Sequence, residues 1–456
     1  MMMELKGKHI LVVGLGKSGK SVARFLKNHG AVPTVTDSAP AKKLEEAARH
    51  LAEIGVRTEL GGHRVESFEK ADLIVLSPGV PHTIEPVERA KRLGVPMIGE
   101  VELASRFIRD PMIAITGSNG KTTTTTLIGE MLKASGKSVF VGGNIGNPLI
   151  DYADGADRVQ WIVAEISSFQ LDTIETFRPD IALLLNITED HLDRYPDFAA
   201  YARSKARIFS NQGPDDLAVL NGSDPMALKI SSDIRSRKRF FDFRESRDAG
   251  AVITRDGILF RLDGRTETLN RGILQTCLRG VHNAENIAAA GLATLAAGGT
   301  LEGVRSAVRS FKGLSHRLEH VAEQNGIRYV NDSKATNVDA VEKALTAFSE
   351  PVILLMGGRD KGGNFNKLTP RLKQQVKLLV LFGEAAPVIR EAIGAGVPAE
   401  TTATLEQAVQ RASSAASPGE VVLLSPGCAS FDQFQNYAQR GEAFRLSVKN
   451  LLQGRK

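Results

Sequence analysis

Short apolar segments alternate with amphipathic stretches along most of the chain. Each apolar segment closes on glycine, serine, asparagine or threonine, as in HILVVGLG, ADLIVLSPG, MIAITGSNG, WIVAEISS, DIALLLNIT, PVILLMGG, VKLLVLFG and EVVLLSPG. This alternation is typical of parallel β-sheets covered by helices on both faces. Because ligands collect beyond the carboxyl ends of such strands, the residues that close these segments are where chemistry is expected.

The pattern and a length of 456 residues predict an α/β protein of three domains. We expect a Rossmann-like domain over residues 1–104, a central domain of phosphate-loop type over 105–313, and a second Rossmann-like domain over 314–456. The central domain should carry a mainly parallel sheet and a small β insert at 243–269. LIVLSPG (73–79) returns as VVLLSPG (421–427), which suggests that the two terminal domains are alike.

Composition narrows the class of protein. The chain is 42% hydrophobic and 24% charged, as in ordinary globular proteins, and has no apolar run long enough to span a membrane. The first residues lack the features of a signal peptide, and two cysteines, Cys277 and Cys428, do not make a disulfide framework, so a cytoplasmic location is expected. The net charge of +6 comes from scattered lysines and arginines, which does not indicate nucleic-acid binding.

The segment GSNGKT (117–122) resembles a phosphate-binding loop that lacks its first glycine. In the pattern G-x-x-x-x-G-K-[ST], that glycine would stand at Ile115. A strand precedes the segment and a helix follows it, so backbone N–H groups at the helix start favour phosphate oxygens. Lys121 would neutralise phosphate charge and Thr122 would offer a hydroxyl to Mg²⁺. The alternative is a plain strand–turn–helix junction with an exposed lysine, but the combination Gly-Lys-Thr favours a shorter variant of the loop.

Threonines occupy positions 122–126, a poor opening for a helix by propensity. Phosphate contact, through Thr122 at least, is the expected reason for this run.

A second glycine pattern, GLGKSG (14–19), follows the first strand and is succeeded by Asp37 at the end of PTVTD. This is the local fingerprint of dinucleotide binding, in which glycines admit a pyrophosphate and an acidic side chain holds a ribose. Taken alone it predicts a nicotinamide-dependent oxidoreductase. A strand-to-helix turn also uses glycine for structural reasons, so this pattern leaves the ligand open.

Several segments together resemble the Mur ligase family, which includes folylpolyglutamate synthase. TGSNGKT resembles its nucleotide loop, and further matching segments keep the family's order: GGNIGNP (142–148), EISSFQL (165–171), NITEDHLDRYPD (186–197), HNAENIAAA (282–290), NDSKATN (331–337), GGRDKG (357–362) and SPGCASFDQFQNYAQRGEAF (425–444). The resemblance covers nearly the whole chain. It is strongest to the member that adds D-glutamate to UDP-N-acetylmuramoyl-L-alanine during peptidoglycan precursor synthesis.

The resemblance implies an ATP-dependent carboxylate–amine ligase. A substrate carboxylate would take the γ-phosphoryl group of ATP, and the amine of D-glutamate would displace phosphate from the acyl phosphate. The implied cofactors are ATP and two Mg²⁺ ions, with Mn²⁺ also possible because imidazole is an unusual partner for Mg²⁺. We expect a monomer whose domains close over the reactants, without nucleic-acid or membrane partners.

Catalytic and metal roles follow from the same resemblance. The implied catalytic residues are Lys121, Glu165, His191 and Lys205, and the implied metal ligands are Thr122, Glu165, His191 and Lys205 as a carbamate. Each has an ordinary alternative: a buried ion pair for Glu165, a hydrogen-bonding residue in an acidic turn for His191, and a solvated helix lysine for Lys205.

The remaining binding residues are also implied by the resemblance. For ATP they are Gly117, Ser118, Asn119, Gly120, Lys121, Thr122, Thr123, Asn283, Asn286, Arg317, Asp332 and Lys334; for the UDP substrate they are Ser18, Asp37, Gly79, Asn144 and Ser167; for D-glutamate they are Thr336, Lys361, Ser430, Phe431 and Tyr437. Tyr437 stands where the family has phenylalanine, and Asn283 and Asn286 have helix capping or surface polarity as their alternative. Cys428 lies beside this set, and we interpret it as a packing residue.

Three other functions remain open. A nicotinamide oxidoreductase would explain residues 9–37 but not GSNGKTT. A sister ligase for another amino acid, such as L-alanine or a diamino acid, would share the central domain and differ in EISSFQL and GCASFDQF. A nucleotide-gated binding module would keep the loop without needing Glu165, His191 and Lys205 together.

Overall fold

The computed structural model describes residues 3–246, 248–274 and 281–453, so Cys277 lies outside the described residues. The described chain forms two compact units, the first within Met1–Ile187, Ala199–Asn270 and Ile287–Val308, the second within Thr188–Phe198, Arg271–Asn286 and Arg309–Lys456. Three mainly parallel sheets confirm the predicted α/β class and its three domains. The domain boundaries after residues 104 and 313 remain predictions.

The N-terminal sheet belongs to the first unit. Its elements are β1 (His9–Val13), α1 (Lys17–Asn28), β2 (Val32–Asp37), α2 (Ala41–Glu53), β3 (Arg57–Leu60), α3 (Val65–Glu69), β4 (Leu73–Leu76), α4 (Glu85–Arg92), β5 (Met97–Gly99) and α5 (Glu100–Ser105). The five strands are parallel in the order β3-β2-β1-β4-β5. The order reverses at β1, whose carboxyl end leads into the glycine-rich turn before α1, the place where such sheets bind ligands.

The central sheet, with nine strands, also lies in the first unit. The elements of this region are β6 (Met112–Thr116), α6 (Lys121–Ala134), β7 (Val139–Gly143), α7 (Leu149–Asp154), β8 (Trp161–Glu165), α8 (Ser168–Leu171), β9 (Ile181–Leu184), α9 (Phe198–Ala206), β10 (Leu217–Asn221), α10 (Pro225–Ser231), β11 (Arg237–Asp242), β12 (Ala249–Ile253), β13 (Gly257–Leu262), β14 (Arg265–Asn270), α11 (Arg271–Leu274), α12 (Val281–Ala296) and α13 (Leu301–Ser310). The strand order is β14-β13-β12-β11-β10-β9-β6-β8-β7. Antiparallel pairing joins β12 to β13 and β13 to β14, which is the β insert expected from the sequence.

The C-terminal sheet forms the core of the second unit. Its elements are β15 (Glu319–Gln324), β16 (Ile327–Asn331), α14 (Val338–Leu345), β17 (Val352–Gly357), α15 (Thr369–Gln375), β18 (Val376–Phe382), α16 (Ala386–Ile393), β19 (Ala399–Thr402), α17 (Leu405–Ala415), β20 (Val421–Gly427) and α18 (Tyr437–Gln453). The order is β15-β16-β20-β17-β18-β19, with only the β15–β16 pair antiparallel. Helices cover both faces, over apolar clusters that include Leu354 on one side and Leu355 on the other.

All eight apolar segments quoted from the sequence contain strands of these sheets. Residues of β6, β9, β17 and β20 are buried along their full length, which is why they read as continuous apolar runs without alternation. The first LSPG segment begins at the last residue of β4, and the second lies within β20, so one stands in each terminal sheet. Among the described residues no helix is both long and apolar enough to cross a membrane.

Two buried glutamates of α5 join the N-terminal and central parts of the first unit. Glu102 accepts hydrogen bonds from the backbone N–H groups of Glu175, Thr176 and Phe177 at 2.8–3.1 Å, and Arg106 Nε donates to it at 2.8 Å. Burial alone would raise the pKa of Glu102, but these donors lower it below its ordinary value. A carboxylate satisfied in this way stabilises the join while ionised.

Glu100, the first residue of α5, is buried with fewer partners. Its Oε1 accepts the backbone N–H of Ile150 at 2.8 Å, whereas its Oε2 is buried without a hydrogen-bond partner in the described structure. Burial raises the pKa of Glu100 to about 7, and the nearby charge of Asp151 adds to that rise. The raised pKa means that ionised Glu100 destabilises the fold: the cost is absent well below its unfolded pKa of 4.5 and complete above pH 7.

We therefore expect Glu100→Gln to stabilise the first unit in a pH-dependent way. Relative to the parent protein, the variant should gain about 2 kcal/mol more free energy of unfolding at pH 8 than at pH 5. Urea unfolding followed by the fluorescence of Trp161, the chain's one tryptophan, measures this. Glu46→Gln, at an exposed position of α2, is the control and should show the same offset at both pH values. A pH-independent offset for Glu100→Gln would contradict the account.

Candidate active site

The loop between β6 and α6 is built around two glycines. Gly117 has φ 152° and Gly120, the residue before α6, has φ 86°, conformations that L side chains rarely adopt. A Cβ atom at Gly117 would lie 3.0 Å from the Cβ of Leu185. The position of the missing first glycine is occupied by Ile115, a buried residue of β6. Gly117 and Gly120 therefore supply the turn between β6 and α6 without it.

Asn186 fixes this loop from the neighbouring strand end, two residues after β9. Its carbonyl oxygen accepts the N–H of Ser118 at 2.9 Å, and its Oδ1 accepts the N–H of Asn119 at 2.8 Å. Its Nδ2 donates back to the Asn119 carbonyl at 3.1 Å. Asn186 is not among the site residues predicted from the sequence, although its place at the end of an apolar strand was a usable signal.

Two lysine ammonium groups converge on the carbonyl oxygen of Gly117. Lys121 Nζ donates to it at 2.7 Å and to the Ser118 carbonyl at 2.9 Å, while Lys205 Nζ donates to it at 2.9 Å. Lys205 is 1% exposed and lies 4.5 Å from the centre of the Tyr201 ring. The interpretation of Lys205 as a solvated helix lysine is therefore wrong: α9 packs its Lys205 face into the unit, because the loop carbonyl supplies an acceptor there.

Glu165, the last residue of β8, is paired in register with Ile115 of β6 and is 1% exposed. Its Oε1 accepts a hydrogen bond from Asn144 Nδ2 at 2.8 Å. Its Oε2 is buried and has no hydrogen-bond partner among the described residues. No ion pair of the described chain involves Glu165, so the buried-salt-bridge alternative fails. A buried carboxylate oxygen left in this state is suited to a cation.

The donor set near the loop fits Mg²⁺ that is shared with phosphate. Within the described residues no group of three or more His, Cys, Asp or Glu side chains could hold a metal by itself. Mg²⁺ is usually held by one or two carboxylates together with substrate phosphates and water, which agrees with one orphaned oxygen on Glu165. Thr122 opens α6 next to the loop and is the hydroxyl candidate.

Most threonines of the run 122–126 are buried packing residues of α6. Thr123, Thr124 and Thr125 are buried on α6, and Thr126 donates its hydroxyl to the Thr122 carbonyl at 2.8 Å. Burial against the sheet therefore accounts for three members of the run, and phosphate contact is left as a prediction for Thr122 and Thr123.

Asp37 supports the glycine turn of the N-terminal sheet. Its Oδ2 accepts the N–H of Leu15 at 2.7 Å, and its Oδ1 accepts the N–H of Ala39 at 2.8 Å. A Cβ atom at Gly19 would lie 1.9 Å from the Gly14 carbonyl oxygen, so this glycine allows α1 to pack closely on the turn. The fingerprint thus has a structural cause in addition to any ligand role.

The other predicted UDP-substrate residues lie in the first unit. Ser167 caps α8, with its Oγ accepting the N–H of Gln170 at 3.3 Å, while Ser18 is half-buried in α1 and Gly79 is exposed after β4. Lys17, at the start of α1, donates to the Gly146 carbonyl at 2.6 Å and so contacts the loop that contains Asn144. The glycine turn and the Asn144 loop are therefore brought together.

In the second unit, Asp332 follows β16 and is buried. Its Oδ2 accepts a hydrogen bond from Ser425 Oγ at 3.0 Å and its Oδ1 accepts the N–H of Leu318 at 3.2 Å. Burial raises the pKa of Asp332 to about 7, against the lowering effect of these bonds and of Arg317. Lys334 Nζ lies 3.8 Å from the centre of the Tyr437 ring, a cation–π contact that a phenylalanine at 437 would also allow.

Lys361 forms a buried ion pair with Asp190 at 2.5 Å, and Asn337 Nδ2 donates to the same carboxylate at 3.0 Å. Burial would raise the pKa of Asp190, but the charges of Lys361 and His191 and the hydrogen bonds hold it well below its ordinary range. His191 adopts φ 57°, an uncommon conformation for a non-glycine residue and one that marks this turn as constrained. Lys361 is therefore engaged with a carboxylate of the chain itself, and its contact with D-glutamate remains a prediction.

The remaining predicted residues of the second unit are mostly buried. Asn283 and Asn286 are 8% and 7% exposed, and Asn286 Nδ2 donates to Asn283 Oδ1 at 3.3 Å, so surface polarity does not explain them. Thr336 is half-buried, Ser430 is buried after β20 and Phe431 is 63% exposed. Cys428 is buried, which raises the pKa of its thiol to about 12 and agrees with a packing role.

Fold and site together define an α/β protein with a phosphate-type loop at the carboxyl edge of a parallel sheet, beside an unsatisfied buried carboxylate. Three family models match the chain: the MurD-like N-terminal domain of Mur ligases over residues 8–99, the Mur ligase middle domain over 115–294, and the Mur ligase glutamate ligase domain over 316–428. The chain belongs to the Mur ligase family.

Individual relatives match over nearly the whole chain. The UDP-N-acetylmuramoylalanine--D-glutamate ligase of Desulfatibacillum aliphaticivorans is 52% identical over 98% of this chain and 100% of its own length. The enzyme of the same name from Desulfosudis oleivorans is 50% identical, covering 99% of this chain and 98% of its own.

Solved structures at low identity share the fold. A pseudomurein peptide ligase type C from Methanothermus fervidus superposes with a TM-score of 0.62 at 19% identity, covering 98% of this chain and 100% of that one. MurF ligase from Thermotoga maritima, solved in complex with ADP, has a TM-score of 0.61 at 17% identity, covering 99% of this chain and 96% of its own. These likenesses agree with three mainly parallel sheets.

Proposed function

We propose that this chain is an ATP-dependent ligase that adds D-glutamate to UDP-N-acetylmuramoyl-L-alanine in peptidoglycan precursor synthesis. The observation that carries the proposal is the phosphate-type loop, where Lys121 and Lys205 donate to the Gly117 carbonyl. On the neighbouring strand, Glu165 is paired with Ile115, and its buried Oε2 has no hydrogen-bond partner among the described residues. Relatives of that name that are 52% and 50% identical over nearly the full length support the choice of substrates.

In the proposed reaction the loop binds the triphosphate of ATP. The backbone N–H groups at the start of α6 and the Lys121 ammonium offset phosphate charge, which lowers the barrier to attack by an anionic carboxylate. Mg²⁺ would be held by Thr122 and Glu165 and would supply positive charge to the phosphate oxygens. We further propose a second ion at His191 and a Lys205 carbamate, with Mn²⁺ as a substitute.

The chemistry passes through an acyl phosphate. The carboxylate of the L-alanyl group attacks the γ-phosphorus, ADP leaves, and the neutral amine of D-glutamate adds to the activated carbonyl before phosphate departs. The residues of the N-terminal sheet and the Asn144 loop would hold the UDP substrate, and Ser167 would add to them. Because an acyl phosphate hydrolyses readily, exclusion of water is part of the proposal.

D-Glutamate recognition is assigned to the second unit. Lys361 bonds the carboxylate of Asp190 and so is placed for a substrate carboxylate to share or replace that bond. Thr336, Ser430, the backbone at Phe431 and Tyr437 complete the proposed subsite, and Asn283, Asn286, Arg317, Asp332 and Lys334 are proposed for the nucleoside end of ATP. A cytoplasmic location is proposed with this function, since the reaction uses ATP, and a monomer is proposed as well.

The other functions explain less of the structure. A nicotinamide oxidoreductase leaves the 117–122 loop without a role, and Asp37 already binds two backbone N–H groups. A nucleotide-gated module needs neither buried Glu165 nor buried Lys205. A sister ligase remains the second candidate. It would carry out the same reaction and differ only in the amino acid that it adds.

Amino-acid choice is the direct test of the proposal. With ATP, Mg²⁺ and UDP-N-acetylmuramoyl-L-alanine, the purified protein should release phosphate with D-glutamate at least about a hundredfold faster than with L-glutamate, L-alanine or L-lysine. The reason is that an amino acid of the wrong shape or charge leaves polar groups of the subsite unpaired, which is costly. A phosphate-release assay measures all four. Release with L-alanine and not with D-glutamate would overturn the substrate and leave the family assignment intact.

Lys205 offers a second test. If its carbamate is a metal ligand, Lys205→Ala should lose at least about a thousandfold in kcat that added bicarbonate does not restore, because a ligand between phosphate-binding ions is removed. Lys133→Ala, at the exposed end of α6, is the control and should keep full activity. Unchanged phosphate release by folded Lys205→Ala would refute the role.

A further inference from the structure

Arg440 is a buried cation without a carboxylate partner. It lies on α18, its side chain is 0% exposed, and it is among the largest fully buried side chains of the described chain. No ion pair within the described residues involves it. Burying an unpaired guanidinium is costly, so its retention needs a reason beyond packing.

The guanidinium is satisfied almost wholly by backbone carbonyls. Nε donates to Ser333 Oγ at 3.0 Å; Nη1 donates to the carbonyls of Gly357, Cys428 and Ala429 at 3.3, 3.1 and 3.3 Å; Nη2 donates to the carbonyls of Ser333 and Cys428 at 2.8 and 3.1 Å. The planar fork of arginine suits this many fixed acceptors, which a lysine could not match.

These acceptors mark three neighbouring strand ends. Ser333 follows β16, Gly357 ends β17, and Cys428 and Ala429 follow β20, and β20 lies between the other two strands in the sheet. Each turn leads to members of the proposed amino-acid subsite: Thr336 after the first, Lys361 after the second, Ser430 and Phe431 after the third. One side chain therefore ties together the three turns that carry this subsite.

The backbone is shaped to let Arg440 reach this position. Gly358 has φ 127°, and a Cβ atom there would lie 2.9 Å from Arg440 Nη1 and 2.1 Å from the Ala429 carbonyl oxygen. Any side chain at 358 would therefore displace either the guanidinium or the turn after β20. The second glycine of GGRDKG thus has a local cause in this arginine and in the turn after β20, whereas a Cβ atom at the first, Gly357, would meet the Phe382 carbonyl oxygen at 1.8 Å.

The charge has a consequence for an anionic ligand. Carbonyl oxygens at the carboxyl edge of a parallel sheet present negative partial charge, which would repel a substrate with two carboxylates. Arg440 donates to those oxygens and adds a positive charge among them, and it forms no ion pair with a carboxylate of the described chain. Burial lowers the pKa of Arg440 to about 10, with Cys428, Asp432 and Asp332 acting in the opposite direction, so the group stays charged at neutral pH.

We propose that Arg440 is a positioning residue for the amino-acid subsite, holding its three turns and supplying a positive charge at their base that favours a dicarboxylate. This inference rests on the proposed D-glutamate ligase function. It differs from a packing role because it predicts an effect confined to the amino-acid substrate.

Arg440→Met and Arg440→Lys test the inference in the full chain. Arg440→Met removes the forked guanidinium donors and the positive charge of this side chain. KM for D-glutamate should rise at least about tenfold, while KM for ATP and KM for the UDP substrate should each change less than about threefold. Arg440→Lys keeps the charge and should give an intermediate KM for D-glutamate. Phe444→Leu, a buried site on the same helix, controls for lost packing and should leave all three KM values near those of the parent protein.

Two results would overturn the inference. One is a folded Arg440→Met whose KM for D-glutamate stays within about twofold of the parent value, and the other is an equal rise in all three KM values. If Arg440→Met does not fold, Arg440→Lys decides: a rise of about threefold or more for D-glutamate alone supports the inference, and no rise or an equal rise overturns it. A parent protein that uses another amino acid refutes the proposed function instead, and is recognised before any variant is made.

Discussion

Repulsion between anions is the constraint on which this structure depends. In the proposed reaction a triphosphate and a substrate carboxylate both approach the carboxyl edge of β6, and each brings negative charge to a partly buried place. The N–H groups at the start of α6 and the Lys121 ammonium, which donates to the Gly117 carbonyl oxygen, offset that charge. Glu165 works against this balance, since it adds a buried negative oxygen without a donor. A divalent cation resolves that conflict, which is the physical argument for metal at this position.

The second unit meets the same constraint differently. Lys361 faces a carboxylate of the chain itself, Asp190, so its charge is already engaged in the described structure. Arg440 donates its hydrogen bonds to carbonyl oxygens and a serine hydroxyl, so dipoles and not an ion pair satisfy its guanidinium. The two cations therefore differ in their contacts: Lys361 pairs with a carboxylate, and Arg440 donates to the carbonyl oxygens of the strand ends. In the proposed function both would favour a dicarboxylate at the carboxyl edge of this sheet.

Most of the strands could be predicted from the sequence, because a continuous apolar run indicates a buried strand. The eight apolar segments became strands, and the turn-rich stretch at 243–269 gave β12, β13 and part of β14. Contacts made across the fold were not accessible in this way. Lys205 looks solvated in YARSKARIF, since nothing local shows that its acceptor is the Gly117 carbonyl, 88 residues away in sequence. The contacts of Asn186 and Arg440 were inaccessible for the same reason, since most of their partners are backbone groups, although the place of Asn186 at a strand end was a usable signal.

Acyl phosphate formation is the central claim, and oxygen transfer measures it most directly. The L-alanyl carboxylate of the UDP substrate is labelled with ¹⁸O, and the phosphate released in the presence of ATP and D-glutamate is analysed by mass spectrometry. The account predicts that one labelled oxygen per turnover appears in inorganic phosphate, because the carboxylate attacks the γ-phosphorus and its oxygen leaves with phosphate. Unlabelled phosphate, or label in a released nucleotide, would contradict it.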